Sequence, residues 1–442
     1  MEIKLTEGSI TKNLLLFTFP MLLGNLLQQL YNIADSIIVG RYLGRAALAA
    51  VGSSFTLMTF ITSILLGLAM GSGAYFSILF GRKDDENLRN SIYQSFILSF
   101  LFSLVLNILV FLLLDSFIKL LQVPEEVKPL MKDYLIIIFY GIFAIFITNY
   151  IASFLRSIGN SLAPLLALAF AAVLNIVLDL SFVITFNMGV KGAAIATVIA
   201  QYASAFILIL YAVFKYRSYI PKRSDCYFNR SNLKPLVNLS LMTSIQQSVM
   251  NFGILLVQGV VNSFGTAVMA AFASGVKIDA FAYMPLQDFG NAYSTFVAQN
   301  YGKRDRARIE RGTKSAIIVI LLFSALITLL IFAFAPNLIA LFVSKNDTAV
   351  IEIGSEYLKI EGAFYFAIGF LFMLYGFYRA IEKPWMSIVL TVISLGTRVV
   401  LSYSVSPIFG EKAIWASIPI GWILADAVGF ICLFAYRRKV RR

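Results

Sequence analysis

The sequence predicts an all-α membrane protein of twelve transmembrane helices, in two six-helix lobes related by pseudo-two-fold symmetry. Three observations carry that expectation. Of the 442 residues, 59% are hydrophobic and the mean hydropathy is +0.83, outside the range of soluble domains. Apolar runs of about 20 residues or more recur along the whole chain, the length a helix needs to cross the hydrocarbon layer. The pattern of the first half also returns in the second at a nearly fixed offset.

Taken in order, the apolar runs place helices at 13–39, 47–80, 90–117, 130–155, 160–186, 190–214, 234–262, 267–300, 313–343, 350–380, 384–408 and 412–436. Breakers or charge fill the connectors at 81–89, 124–132, 217–232, 302–311 and 345–352. With the N-terminus inside, about 25 of the 36 Lys and Arg fall in cytoplasmic segments and about nine outside. Basic clusters at 215–234, 303–311 and 437–442 dominate the inner side. The net charge of +13 is therefore a matter of topology and headgroup contact, not of nucleic-acid binding. Both termini are expected in the cytoplasm, with the first helix an uncleaved anchor.

The repeat is specific. Residues 46–50 (Ala-Ala-Leu-Ala-Ala) precede a long helix that closes on Gly81-Arg82-Lys83-Asp84. With an offset of 221, residues 267–271 (Ala-Val-Met-Ala-Ala) precede one that closes on Gly302-Lys303-Arg304-Asp305. Later in each half, residues 154–158 (Phe-Leu-Arg-Ser-Ile) answer 377–381 (Phe-Tyr-Arg-Ala-Ile). Six helices followed by six in the same orientation is a parallel repeat about an axis along the membrane normal. The expected division is an N-lobe at 1–216, a cytoplasmic linker at 217–232 and a C-lobe at 233–442.

Two cysteines and no histidine leave no disulfide framework, imidazole relay or usual zinc site. No Walker A, GxSxG or HExxH pattern occurs. Carboxylates are the titrating groups left inside the membrane. Asn175 and Asp179 are four residues apart in an apolar run, so a helix stacks them on one face. A carboxylate there costs several kcal/mol unless it is protonated, paired or bound to a cation. At 1.5 Å per residue, Asp35 lies roughly 7 Å and Asp179 about 10 Å from the outer ends of their helices, with Thr197 at a similar depth. Two carboxylates, an amide oxygen and a hydroxyl are hard ligands that suit sodium. The same acids also suit a proton, or cap and pair within a bundle. At the repeat offsets, Asp35, Asn175 and Asp179 become Leu256, Arg398 and Ser402, so coupling is expected in the first half alone.

The second half is polar in a different way. The seventh helix carries Gln246, Gln247 and Asn251, which either hydrogen-bond across helices or line a wet cavity. Lys277, Asp279, Glu361, Arg398 and Asp426 are expected in buried ion pairs. Asp279 and Asp288 alternatively draw in a cationic substrate. Tyr140, Tyr283 and Tyr375 are candidate cavity aromatics that would hold a cation on their faces. The spacing Gly67-x3-Gly71-x-Gly73 suggests close helix packing or a bend.

Phe19-Pro20, Asp35, Gly40, Gly44 and 47–50 (Ala-Leu-Ala-Ala) resemble the first-helix signature of multidrug and toxic compound extrusion (MATE) transporters. Met284-Pro285-x-Gln287 with Gln299-Asn300-x-Gly302 resembles that family's eighth-helix pattern, and Asn175-x3-Asp179 its DinF-like branch. The resemblance spans essentially the whole chain. It implies two lobes forming a V around a central cavity, and export of hydrophobic organic cations in exchange for sodium or protons by alternating access. It also implies a coupling site of Asp35, Asn175, Asp179 and Thr197, joined by Asn149, with no other cofactor or metal. The expected setting is a bacterial inner (plasma) membrane, with lipids and small organic cations as partners, no nucleic acid and a monomeric state. The family's second-lobe acids on helices seven and ten are met here only by Glu361. The rival reading is a flippase or exporter of a lipid-linked or amphipathic precursor, which wants deep basic residues such as Lys277 and Arg398. An ion channel fits the repeat within one chain poorly, and no nucleophile–base pair supports an enzyme.

Overall fold

The structure, a computed structural model, describes residues 2–120, 123–344 and 346–441, leaving aside the side chains of 56, 120, 254, 255 and 439–441. Lys345 and Arg442, and the side chains of Lys439 and Arg441, which belong to expected connectors and basic clusters, thus lie outside the described residues. The helices are α1 (Ile10–Leu43), α2 (Arg45–Arg82), α3 (Asp85–Leu112), α4 (Leu114–Leu120), α5 (Lys128–Tyr140), α6 (Ile142–Ser157), α7 (Leu162–Asp179) and α8 (Gly189–Lys215). They continue as α9 (Arg230–Asn262), α10 (Thr266–Gly302), α11 (Arg306–Ile339), α12 (Thr348–Gly362), α13 (Tyr365–Ala380), α14 (Pro384–Phe409) and α15 (Glu411–Arg441). Among the described residues ten helical segments are long and apolar enough to cross a membrane, and two bent pairs bring the total to twelve.

The bends revise two expected spans. The fourth is α5 and α6 meeting at 44°, and the tenth is α12 and α13 meeting at 51°. A bend frees backbone carbonyls, which must find donors where no water reaches. At the first, Asn107 Nδ2 donates to the Phe139 carbonyl (2.7 Å) and the Tyr202 hydroxyl to that of Tyr140 (2.8 Å). At the second, the Thr328 hydroxyl donates to the Gly362 carbonyl (2.5 Å). Asn107 and Thr328 are 221 residues apart, as are Gly141 and Gly362 at the two bends. The repeat therefore extends to the groups that hold the bends.

It extends to the corners as well. Lys83 and Arg304 both adopt left-handed backbone (φ 58° and 62°), and the next residue caps a helix. Asp84 accepts from the Asn87 amide at the start of α3, and Asp305 from the Arg308 amide at the start of α11. Gly44 and Gly265, each at the entrance to a long helix, share φ near 90° (86° and 93°), which a side chain would disfavour.

The chain forms two compact units. One comprises Met1–Lys4 and Leu16–Ser244, the other Leu5–Leu15 and Ile245–Arg442. The division falls inside α9, and residues 217–232, the expected linker, pack within the first unit. Arg89 Nε meets Asp225 Oδ2 at 2.8 Å, and Asn90 Nδ2 donates to the carbonyls of Asp225 (2.9 Å) and Tyr227 (2.8 Å). Burial raises the Asp225 carboxyl, but the Lys222 amide and the Arg89 guanidinium outweigh it and hold the group below the usual carboxylate range. A depressed carboxyl contributes stability above its unfolded pKa, near 4, and loses it as pH falls through the lower folded value. Asp225→Asn is therefore expected to cost about 1 kcal/mol at neutral pH. Thermal melts in detergent should show the gap between variant and parent closing in strong acid.

Candidate cation site

The site lies in the first unit, where α1, α7, α8 and α5 bring their polar residues together. Gly24 lets α1 lie against Leu165 and Leu168 of α7, at 3.9 and 3.6 Å from where its Cβ would stand. Asn175 and Asp179 occupy the buried face of α7, at 2% and 0% exposure, and Asp35 on α1 is 8% exposed. Asn175 Nδ2 donates to Thr197 Oγ1 of α8 at 3.4 Å. Asp179 and Asp35 lie within electrostatic reach of each other. Tyr134 of α5 and Tyr31 of α1 lie within electrostatic reach of both acids, and Tyr134 lies beside Thr197.

What this cluster lacks is donors. Both carboxylate oxygens of Asp179, Oδ1 of Asp35 and Oδ1 of Asn175 are buried without a hydrogen-bond partner among the described residues. An unmet buried acceptor costs about 1–3 kcal/mol, and more when charged. Four buried oxygen atoms without donors, on acids within electrostatic reach of each other, suit a proton or a small hard cation. Thr148 Oγ1 on α6 and Gln201 Oε1 on α8, one turn beyond Thr197, are likewise buried and unmet.

Asn149 stands apart. Its amide bonds back to the Ile145 carbonyl of its own helix at 2.9 Å and makes no hydrogen bond to the acids. Tyr31 and Tyr134 were not anticipated. Tyr31 precedes Asp35 by one turn, so the four-residue spacing that linked Asn175 to Asp179 would have found it. Tyr134 offered no such signal. The other unanticipated feature is backbone: from Leu180 to Thr185 the helix widens to π geometry immediately after Asp179, with the Phe186 amide bonding to the Ser181 carbonyl. Such segments cluster at functional sites.

The second unit holds a different network. Asp279 on α10 accepts from the hydroxyls of Tyr357 (2.5 Å) and Tyr365, with Glu361 and Arg398 within electrostatic reach. Lys277 is not in this network; it is exposed, with its ammonium 5.5 Å over the Phe342 ring. One and two residues of helical rotation separate it from the buried Ile278 and Asp279, which is why depth alone misplaced it. Asp426 also has no ion partner among the described residues. Gln246 donates to Thr391 (3.3 Å), Asn251 bonds back to the Gln247 carbonyl (3.1 Å), and Gln247 and Asp288 are buried. Tyr283 packs edge-on against Phe372 with its hydroxyl on Met250 Sδ (3.6 Å), while Tyr140 is 59% exposed.

The MatE family profile matches residues 20–181 and 241–404, one segment in each half of the repeat. The chain is 31% identical to the probable multidrug resistance protein YpnP of Bacillus subtilis (strain 168), over 96% of this chain and 95% of that one. It is 24% identical to a FAD transporter of Shewanella oneidensis, over 98% and 96%. Among solved structures, it superposes with a TM-score of 0.92 and 26% identity on a MOP superfamily transporter from Pyrococcus furiosus, covering 100% of this chain and 99% of that one. That protein is described as having a binding pocket of reverse polarity that suggests a different function. The paired segments, the helical repeat and full-length similarity agree: this chain belongs to the MatE family and is a multi-pass membrane transporter, not an enzyme.

Proposed function

We propose that the chain is a cation-coupled antiporter that exports hydrophobic organic cations, of the drug type, across a bacterial inner membrane. The carrying observation is the donor-free oxygen cluster of Asp35, Asn175 and Asp179 beside Thr197. A cation that fills it removes a desolvation cost present only when the site is empty, so its binding energy can bias one conformation over another. Sodium or a proton taken up there from outside would favour release of the exported cation. Access alternates between the two sides as the halves of the repeat move. The description of YpnP as a probable multidrug resistance protein supports the substrate class. The inward basic clusters support cytoplasmic termini, and the transport unit is taken as one chain.

The test is export of a fluorescent cationic dye from proteoliposomes, with sodium and pH gradients imposed separately. Export that follows one gradient names the ion; export indifferent to both contradicts the proposal. Ser402 tests the asymmetry between the halves, because it occupies the repeat position of Asp179. Its hydroxyl pairs with that of Ser417 at 3.0 Å, and Ser417 itself donates to the Ile414 carbonyl. Ser402→Ala leaves Ser417 with a partner, so dye export should stay within about twofold and stability within about 1 kcal/mol.

A second reading, export of an anionic amphipathic molecule, draws on one observation: Arg398 keeps Nε buried without a hydrogen-bond partner. The Shewanella FAD transporter fits such a substrate class. Lys277, exposed beside Phe342, gives it no support.

A further inference from the structure

Asp426 is a deep carboxylate that neither the first unit's cluster nor the Asp279 network uses. It lies about 22 Å along α15 from Glu411, on the buried face that also carries Trp415, Trp422, Ala425 and Leu433. The residue is 7% exposed, and its Oδ1 is sealed with no hydrogen-bond partner among the described residues. The polar neighbour within its electrostatic reach is the buried Tyr375 of α13.

Nearby, Thr391 of α14 donates to the Ser387 carbonyl at 2.8 Å and accepts from Gln246 Nε2 at 3.3 Å, so its bonds are made away from Asp426. The charged and titratable groups on the helices packed against α15 are turned elsewhere. On α14, Arg398 acts on Asp279, Glu361 and Tyr283. On α13, Arg379 donates to Ser294 (3.2 Å) and Asn291 (3.0 Å), the Tyr378 hydroxyl donates to the Gly429 carbonyl, and Tyr365 is held on Asp279. On α12, Tyr357 is held on Asp279, Glu361 lies within electrostatic reach of Asp279, and Glu356 pairs with Lys412.

We propose that Asp426 is a proton-binding site of the second unit, separate from the Asp35–Asp179 cluster. A carboxylate that is buried, with an unmet oxygen and no ion partner among the described residues, is relieved of its desolvation cost by taking up a proton. The chain then binds cations at two sites, one in each half of the repeat. The role of this proton in a transport cycle rests on the antiport reading above, whereas its binding does not.

Infrared difference spectroscopy between alkaline and acidic buffer tests this on the purified full-length chain. The expected result is a protonated-carboxyl band that is lost in Asp426→Asn and kept in both Asp35→Asn and Asp179→Asn. Replacing sodium by choline should leave it unchanged, and Asp426→Glu should keep the band but move its frequency. A spectrum unaltered by Asp426→Asn, or a band that sodium abolishes, overturns the proposal. Should Asp426→Asn fail to fold, an unmoved band in Asp426→Glu overturns it. Loss of gradient-driven export with the band in place would instead count against the antiport reading alone.

Discussion

Asp179→Asn is expected to abolish gradient-driven export while leaving the folded protein at least as stable as its parent. The substitution keeps the shape of the side chain and removes its charge. In the parent both carboxylate oxygens are fully buried and meet no donor, so the empty, ionised site is a cost to the fold, not a support. An amide escapes the desolvation cost of a charge, which is why neutral replacements of buried ions are commonly tolerated. It also cannot take a proton at physiological pH or offer a full negative charge to sodium. Losing about 3 kcal/mol of cation affinity corresponds to roughly a hundredfold weaker binding. Initial rates of dye export in proteoliposomes should fall at least that far, with an unchanged or raised melting temperature in detergent. A variant that loses stability and transport together would instead mark Asp179 as a structural residue.

Gly71→Val carries the largest expected effect on folding. A Cβ at Gly71 would run into the backbone of Leu239 and Ser240, where α2 crosses the first turns of α9. The contact continues on both sides: a Cβ at Gly67 would meet the Ser244 backbone, and the Ser72 and Ser240 hydroxyls pair at 2.9 Å. Backbone cannot move aside as a flexible side chain can, so a branched residue must push the helices apart. The cost is expected at about 3 kcal/mol, read as a fall in melting temperature and in monodisperse yield. Gly52, whose Cβ would meet nothing within 4 Å, is the control; Gly52→Ala should change little.

The sequence carried the parts of this molecule that follow from local chemistry. Hydropathy locates the membrane helices because backbone in hydrocarbon must satisfy itself, and the corners at Lys83 and Arg304 are legible because a capping aspartate follows each. Asn175 and Asp179 share a face by helical spacing alone. The bends at Gly141 and after Gly362 were hidden, because apolar runs continue through them. Their signature lies in Asn107 and Thr328, polar residues on other helices whose purpose shows only when their carbonyl partners are in place. The π segment after Asp179 left no mark in composition. Lys277 was misplaced because depth along a helix does not specify which way a residue faces. Tyr134 joined the site through tertiary packing, which no spacing rule reports.

The most direct measurement is binding of the coupling ion itself, without transport. Purified protein in detergent would be titrated with sodium at alkaline pH and, separately, assayed for proton release, with the Asp179→Asn and Asp35→Asn variants alongside. The account predicts saturable binding of one of the two ions, with the component that belongs to the first unit reduced at least tenfold in each variant and untouched in Ser402→Ala. Equal binding in the parent and both aspartate variants would contradict a coupling site in the first unit.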